Sequence, residues 1–250
     1  MISEIVTCLV LGVGLGICGG MLGIGGGLIA IPVLGLFFGM DQHLAQGTAL
    51  IMVTPNVMIG FLRYRQRNKI DLRQTLMLCL FATVSAWFAA QAATAIKGEN
   101  LQTAFGAFLL ALAVYYLRQW FISRNRPIAA SARLSAKYLP VLGVASGFMS
   151  GIFTVGGGLV VVPALVALFG FTQTQAQGIA LALVVPGALA ALFSYAQAGH
   201  VDWSIGLPLA LGGIVSVSWG VALAHSLPVS WLKLAFCLVL FGVAATMLLA

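Results

Sequence analysis

Apolar residues fall in long runs parted by short polar loops, at approximately 5 to 38, 44 to 62, 74 to 96, 101 to 122, 138 to 170, 176 to 198, 203 to 224 and 231 to 249. About 20 apolar residues in helical form cross the roughly 30 Å hydrocarbon layer of a membrane. Two runs, 5 to 38 and 138 to 170, are well beyond that length, and each contains a glycine cluster, so each is expected to be two helical pieces. No alternating apolar and polar pattern of a membrane barrel is present, which makes the expected class all-α.

The first break reads Gly23-Ile24-Gly25-Gly26-Gly27-Leu28-Ile29-Ala30-Ile31-Pro32. The second copy reads Thr154-Val155-Gly156-Gly157-Gly158-Leu159-Val160-Val161-Val162-Pro163, at an offset of 131 residues. The same offset, without a gap, matches Gly12, Gly16 and Gly20 with Gly143, Gly147 and Gly151. It also carries Gln46, Gly47, Pro55, Tyr64 and Asp71 onto Gln177, Gly178, Pro186, Tyr195 and Asp202. Identity at glycine, proline and glutamine goes beyond shared hydrophobicity and indicates a duplicated unit. The expected organisation is a first repeat over 1 to 117, a basic linker over 118 to 137 and a second repeat over 138 to 250. Each repeat holds a broken run, 5 to 38 or 138 to 170, followed by three spans.

Composition agrees with a membrane protein. The chain is 61% hydrophobic and only 7% charged, where a soluble domain carries roughly 25% charged residues. The net charge of +7 does not point to nucleic acid, because the cations are clustered beside spans. Arg63, Arg65, Arg67, Lys69 and Arg73 lie in one loop, and Arg118, Arg124, Arg126, Arg133 and Lys137 in the linker. The positive-inside rule places both in the cytoplasm. The counterpart of the first basic loop, Ser194 to His200, is essentially neutral, which suggests that equivalent loops lie on opposite sides and that the repeats are inverted. Three spans plus a re-entrant hairpin give each half the odd number of crossings this requires. The competing arrangement, in which each broken run crosses once, makes the repeats parallel. The start of the chain has no basic segment or clear cleavage site, so the first run is expected to be retained.

Consecutive glycines free backbone amides from helical pairing, and such groups are tolerated at membrane depth only inside protein or beside a watery cavity. Helices beginning near Gly27 and Gly158 aim unpaired amides and the positive end of the helix dipole at the midplane. That is anion-binding chemistry, and broken helices at a repeat interface recur in secondary transporters. The candidate substrate-binding residues are therefore Gly25, Gly26, Gly27, Gly156, Gly157 and Gly158. Asn56, Gln46, Gln177, Thr48 and Thr154 are further candidates, and Pro55 and Pro186 are candidate helix kinks. Gln46 and Gln177 serve equally well as capping or interhelical groups, and threonines in membrane helices also bond their own backbone. Gly12, Gly16 and Gly20, spaced by four, read as a helix-packing stripe.

Glu4, Asp41, Asp71, Glu99 and Asp202 all fall at segment ends, which disfavours a proton relay or sodium site. Asp71 and Asp202 open spans and read as helix caps. Cys8, Cys18, Cys79 and Cys237 have no pairing or metal spacing, and no nucleophile, base and orienting group can be assembled, so neither a cofactor, a metal nor an enzyme is expected.

The paired Gly-rich break before proline, the Gly47-Thr48-Ala49 helix start and the Gly199-His200-Val201-Asp202-Trp203 loop resemble the sulfite exporter TauE/SafE (DUF81) family over nearly the whole chain. The resemblance implies export or uptake of sulfite, thiosulfate, sulfonates or related anions at the cell membrane. The expected partners are a small anion and lipid, with no nucleic acid; a homo-oligomer is compatible with the sequence. A passive anion channel and a non-transporting scaffold are the alternative readings.

Overall fold

The computed structural model describes residues 2–68, 70–93, 98–125, 134–153 and 158–249, and these are helical with short connections. The first half contains α1 (Ile2–Leu22), α2 (Gly27–Phe38), α3 (Gln42–Arg67), α4 (Leu72–Ala93) and α5 (Gly98–Asn125). The second contains α6 (Leu139–Phe153), α7 (Gly158–Phe169), α8 (Gln173–Gln197), α9 (Trp203–Ser226) and α10 (Val229–Leu249). Among the described residues, five helices are long and apolar enough to cross a membrane: Ser3–Leu22, His43–Arg67, Leu72–Ala89, Gln173–Gln197 and Trp203–Ser226. The outer surface carries large apolar side chains such as Val10, Phe88, Phe193, Trp219 and Leu238, as lipid contact requires.

The first long run is broken at its glycines, and residues 154–157 of the second lie outside the described residues. α1 stops at Leu22 because Gly23, Gly25 and Gly26 take positive φ angles of 71°, 71° and 91°, conformations glycine adopts without strain. α2 then begins at Gly27 with Gly26 as an N-cap that offers no side-chain oxygen. α1 and α3 both run alongside α9 in its own direction: Gly12 faces Leu209 and Gly20 faces Val217, while Gly47 faces His200 and Gly60 faces Val217. The intervening α2 runs back against α3, with Gly27 beside Val53 near the middle of that helix.

The halves interlock through small residues. The stripe Gly12, Gly16 and Gly20 of α1 meets Leu209, Gly213 and Val217 of α9 backbone to backbone. The equivalent Gly143 and Gly147 of α6 meet Leu78 and Ala82 of α4. The first helix of each half is thus paired with the second full span of the other, α1 with α9 and α6 with α4. At the centre α3 and α8 lie antiparallel: Tyr195 OH donates to Gln46 Oε1 at 2.6 Å near one end, and Tyr64 OH lies 3.1 Å from Gln177 Oε1 near the other. These are the same pair of residues exchanged by the 131-residue offset. α5 and α10 pack together through Tyr116 on Phe236, ring centroids 4.8 Å apart, and shelter Ile24, Leu28 and Leu159 from the two hairpins.

Polar termini are capped. The Asp202 carboxylate accepts from the N–H groups of Ser204 and Ile205, that of Asp71 from Arg73 and Gln74, and that of Asp41 from His43 and Leu44. The Leu44 and His43 amides hold the Asp41 carboxyl below the usual carboxylate range.

Leucine at Gly16 or Gly213 must push α1 and α9 apart, because even a methyl group at Gly16 would lie 2.8 Å from the Gly213 backbone. A loss of roughly 1–3 kcal/mol or more is expected, read as a lower thermal midpoint in detergent. Gly14→Leu, where a methyl group meets nothing within 4 Å, should leave the midpoint unchanged. Asp202→Ala should cost about 1 kcal/mol through loss of the α9 cap, and Asp202→Asn should restore it.

Candidate functional site

At the first break, the end of α1 must place carbonyls that have lost their helical partners. Gly19 O accepts from the N–H groups of Gly23, Ile24 and Gly25 at 3.1–3.3 Å. Gly20 O accepts from Tyr64 OH at 2.9 Å, and Met21 O from Gln177 Nε2 at 3.0 Å. One clasp comes from α3 and the other from α8. On the far side of the break, Gly26 O receives Ile29 and Ala30, and the amides of Gly26, Gly27 and Leu28 lie between the two bonded sets. These are the orphan donors of a helix start.

Gly27 and Leu28 border a cavity of about 300 Å³. Its other walls are Gln46, Leu50 and Val53 of α3, Thr83 and Trp87 of α4, and the stretch of α8 from Leu183 through Pro186 and Gly187 to Tyr195. Among the described residues the lining is mainly apolar, without a charged side chain. Gln46 holds its Oε1 on Tyr195, which leaves its Nε2 without a protein acceptor among the described residues. The Thr83 hydroxyl turns back to Cys79 O at 2.8 Å. The cavity therefore has hydrogen bonds to offer from the neutral Gln46 amide, beside the positive end of a helix. A small anion can accept these bonds, and a cation would meet the wrong end of the dipole.

The other residues singled out from sequence stand elsewhere. Gly25 and Gly26 are buried, the first against Val57 and the second against Leu15 O. Thr48 is fully buried, its hydroxyl accepting from the Asp202 N–H at 3.0 Å. Gln177 is 1% exposed with both ends of its amide on protein. Asn56 is fully buried on the α3 face toward Gly213 of α9, not on the cavity wall. Pro55 and Pro186 lie within α3 and α8, and Pro186 lines the cavity. Gly158 abuts the first break, since a methyl group there would stand 3.7 Å from Gly23 O and 3.3 Å from Ala180 Cβ. Thr154, Gly156 and Gly157 lie outside the described residues. Two site residues carry no assignment from sequence, Tyr195 and Tyr64. The available signal was their recurrence at the same offset as the glutamines they bond. Among the described residues there is no group of three His, Cys, Asp or Glu that could hold a metal.

Comparison with known proteins agrees with a multi-pass membrane protein. The profile described as "Sulfite exporter TauE/SafE" matches residues 8–247. Similar curated proteins include a "Probable membrane transporter protein" of Xylella fastidiosa (strain Temecula1), 28% identical with 90% of this chain and 87% of that protein covered. Another, of Methanocaldococcus jannaschii, is 27% identical over 96% of this chain and 94% of its own length. The "Probable membrane transporter protein YunE" of Bacillus subtilis is 23% identical with 88% of both chains covered. A match of that extent, on an apolar helical chain, makes this protein a membrane transporter of the sulfite exporter TauE/SafE family.

Proposed function

We propose that the protein carries a small sulfur-containing anion, such as sulfite, thiosulfate or an organosulfonate, across the cell membrane by alternating access. The observation that carries this reading is the cavity at the start of α2, bordered by Gly27, Leu28 and the Gln46–Tyr195 pair and, among the described residues, by no charged side chain. In the reading the anion lies against the Gly27 and Leu28 start of α2, and Gln46 donates from the side. The family description supplies the sulfur-anion class; the geometry supplies an anion of a few heavy atoms, because about 300 Å³ is at the small end of ligand pockets.

The membrane placement that goes with it has the repeats inverted. Its support is the exchange of Gln46–Tyr195 with Gln177–Tyr64 between antiparallel helices. A two-fold axis that exchanges two antiparallel helices is perpendicular to both, and so lies in the membrane plane. The Arg63 to Arg73 loop and the 118 to 137 linker are then cytoplasmic, and both termini are on the other face.

Transport is tested by counterflow in proteoliposomes. Transient accumulation of labelled sulfite against unlabelled internal sulfite is expected; uptake that only dissipates the gradient would make the protein a channel, and stability unmoved by sulfite, thiosulfate, sulfoacetate or taurine would contradict anion binding. Gln46→Ala removes a neutral donor to a charged ligand, an interaction of roughly 1.5–3 kcal/mol. Substrate affinity measured by thermal shift should fall about 10-fold or more, and Gln46→Glu, which sets a carboxylate at the same place, should abolish it.

A further inference from the structure

The two halves correspond in their bonds but not in their packing, and the difference has a direction. Gly187 of α8, on the cavity wall, is exposed, and a methyl group there would meet nothing within 4 Å. Its counterpart at the 131-residue offset is Asn56 of α3, which is fully buried and so close to α9 that a methyl group on Gly213 would lie 2.6 Å from its Nδ2. Trp87 of α4, also on the wall, is 68% exposed. Its counterpart Ser218 of α9 accepts from Arg63 Nε at 3.1 Å, closing α9 onto α3 at the basic end. Gln46 and Gly27 are partly exposed on the cavity, whereas their counterparts Gln177 and Gly158 are buried. One side of the molecule is open where the equivalent side is shut.

The shut side holds polar atoms that nothing satisfies. Among the described residues, the buried side-chain atoms without a hydrogen-bond partner are Thr54 Oγ1 and the Asn56 amide oxygen and nitrogen, all on α3, and, away from this side, Tyr116 OH on α5. An amide buried in this way costs about 1–3 kcal/mol, and in hydrocarbon no water compensates. Asn56 has a donor and an acceptor aimed at an interface rather than at a partner. Opening α9 away from α3 would give it one.

We infer that Asn56, Tyr64, Gln177 and Gly158 form a second anion pocket, closed in this structure by α9, that opens toward the Arg63–Arg67 end of the molecule. The inference rests on the proposed transport function and names where the oxyanion is held in the other half of the cycle. The moving body is the α1–α9 pair, which the glycine stripe holds backbone to backbone; its equivalent, α4–α6, stands away from α8 at the open cavity. Arg63 acts at the mouth, releasing Ser218 as the pocket opens and drawing the anion by charge. Asn56 has no equivalent amide in the open cavity, where Gly187 stands, so the second pocket supplies one donor more than the first.

The test uses the full chain in sealed membranes with Cys8, Cys18, Cys79 and Cys237 replaced by alanine. A membrane-impermeant thiol reagent is applied to either face without added anion. Ala190→Cys, on the open wall, should label from the face of the 199 to 201 loop. Asn56→Cys and Leu181→Cys, the latter buried at the counterpart of cavity-lining Leu50, should label from the face of Arg63–Arg67 and more slowly than Ala190→Cys. Leu181→Cys exchanges one apolar residue for another and keeps the test valid if the Asn56 variant misfolds. Leu181→Cys that stays unlabelled while denatured protein labels fully, or that labels from the same face as Ala190→Cys, overturns the inference. Counterflow on the same preparations separates the two claims: transport without labelling at 181 sinks only the second pocket, and absence of transport sinks the proposed function.

Discussion

A helix broken inside hydrocarbon cannot leave its peptide groups to the solvent, and this protein's architecture follows from how that debt of hydrogen bonds is met. The three carbonyls at the end of α1 are each answered differently: Gly19 O by the turning chain itself, Gly20 O by Tyr64, and Met21 O by Gln177. Because Tyr64 and Gln177 sit on different halves, the break is fully bonded only once the halves have docked. The amides beyond the turn, at Gly27 and Leu28, are not answered in this way, and these two residues border the cavity.

Small residues make this docking possible. Gly12, Gly16 and Gly20 let α1 approach α9 closely, and Gly143 and Gly147 do the same for α6 and α4. Close packing of this kind replaces the hydrophobic drive that is missing between helices in lipid. It also ties the first helix of each half to the other half, so neither half buries its small-residue faces alone. Two such pairs flanking the antiparallel α3 and α8 give a molecule with rigid outer pairs and a central seam. The cavity is on one side of that seam, and the unsatisfied Asn56 amide is on the other.

The repeat, the runs, the breaks, the caps at Asp71 and Asp202 and the packing role of the four-spaced glycines are legible in the sequence because each depends on local spacing. A glycine triplet before proline interrupts a helix wherever it is placed, and an aspartate at a helix start caps it. What occupies the space between helices is different, since it depends on partners more than a hundred residues away. Nothing in the run 44 to 62 shows that Asn56 faces Gly213, or that Thr48 holds the Asp202 N–H rather than a ligand. Tyr64 and Tyr195 recur at the right offset, yet their pairing with Gln177 and Gln46 requires knowing that α3 and α8 lie side by side and antiparallel.

The central claim is that one folded unit is used twice in opposite orientations, so that two sets of helix-start amides address a shared interior. The sidedness of equivalent loops tests it most directly. Cysteines placed singly at Arg67 and Gly199, in a background without the native cysteines, report which face each loop occupies when an impermeant thiol reagent is added to intact cells or to inverted vesicles. The account predicts labelling of Gly199→Cys in intact cells and of Arg67→Cys only in inverted vesicles. Labelling of both from one face would make the repeats parallel and contradict it.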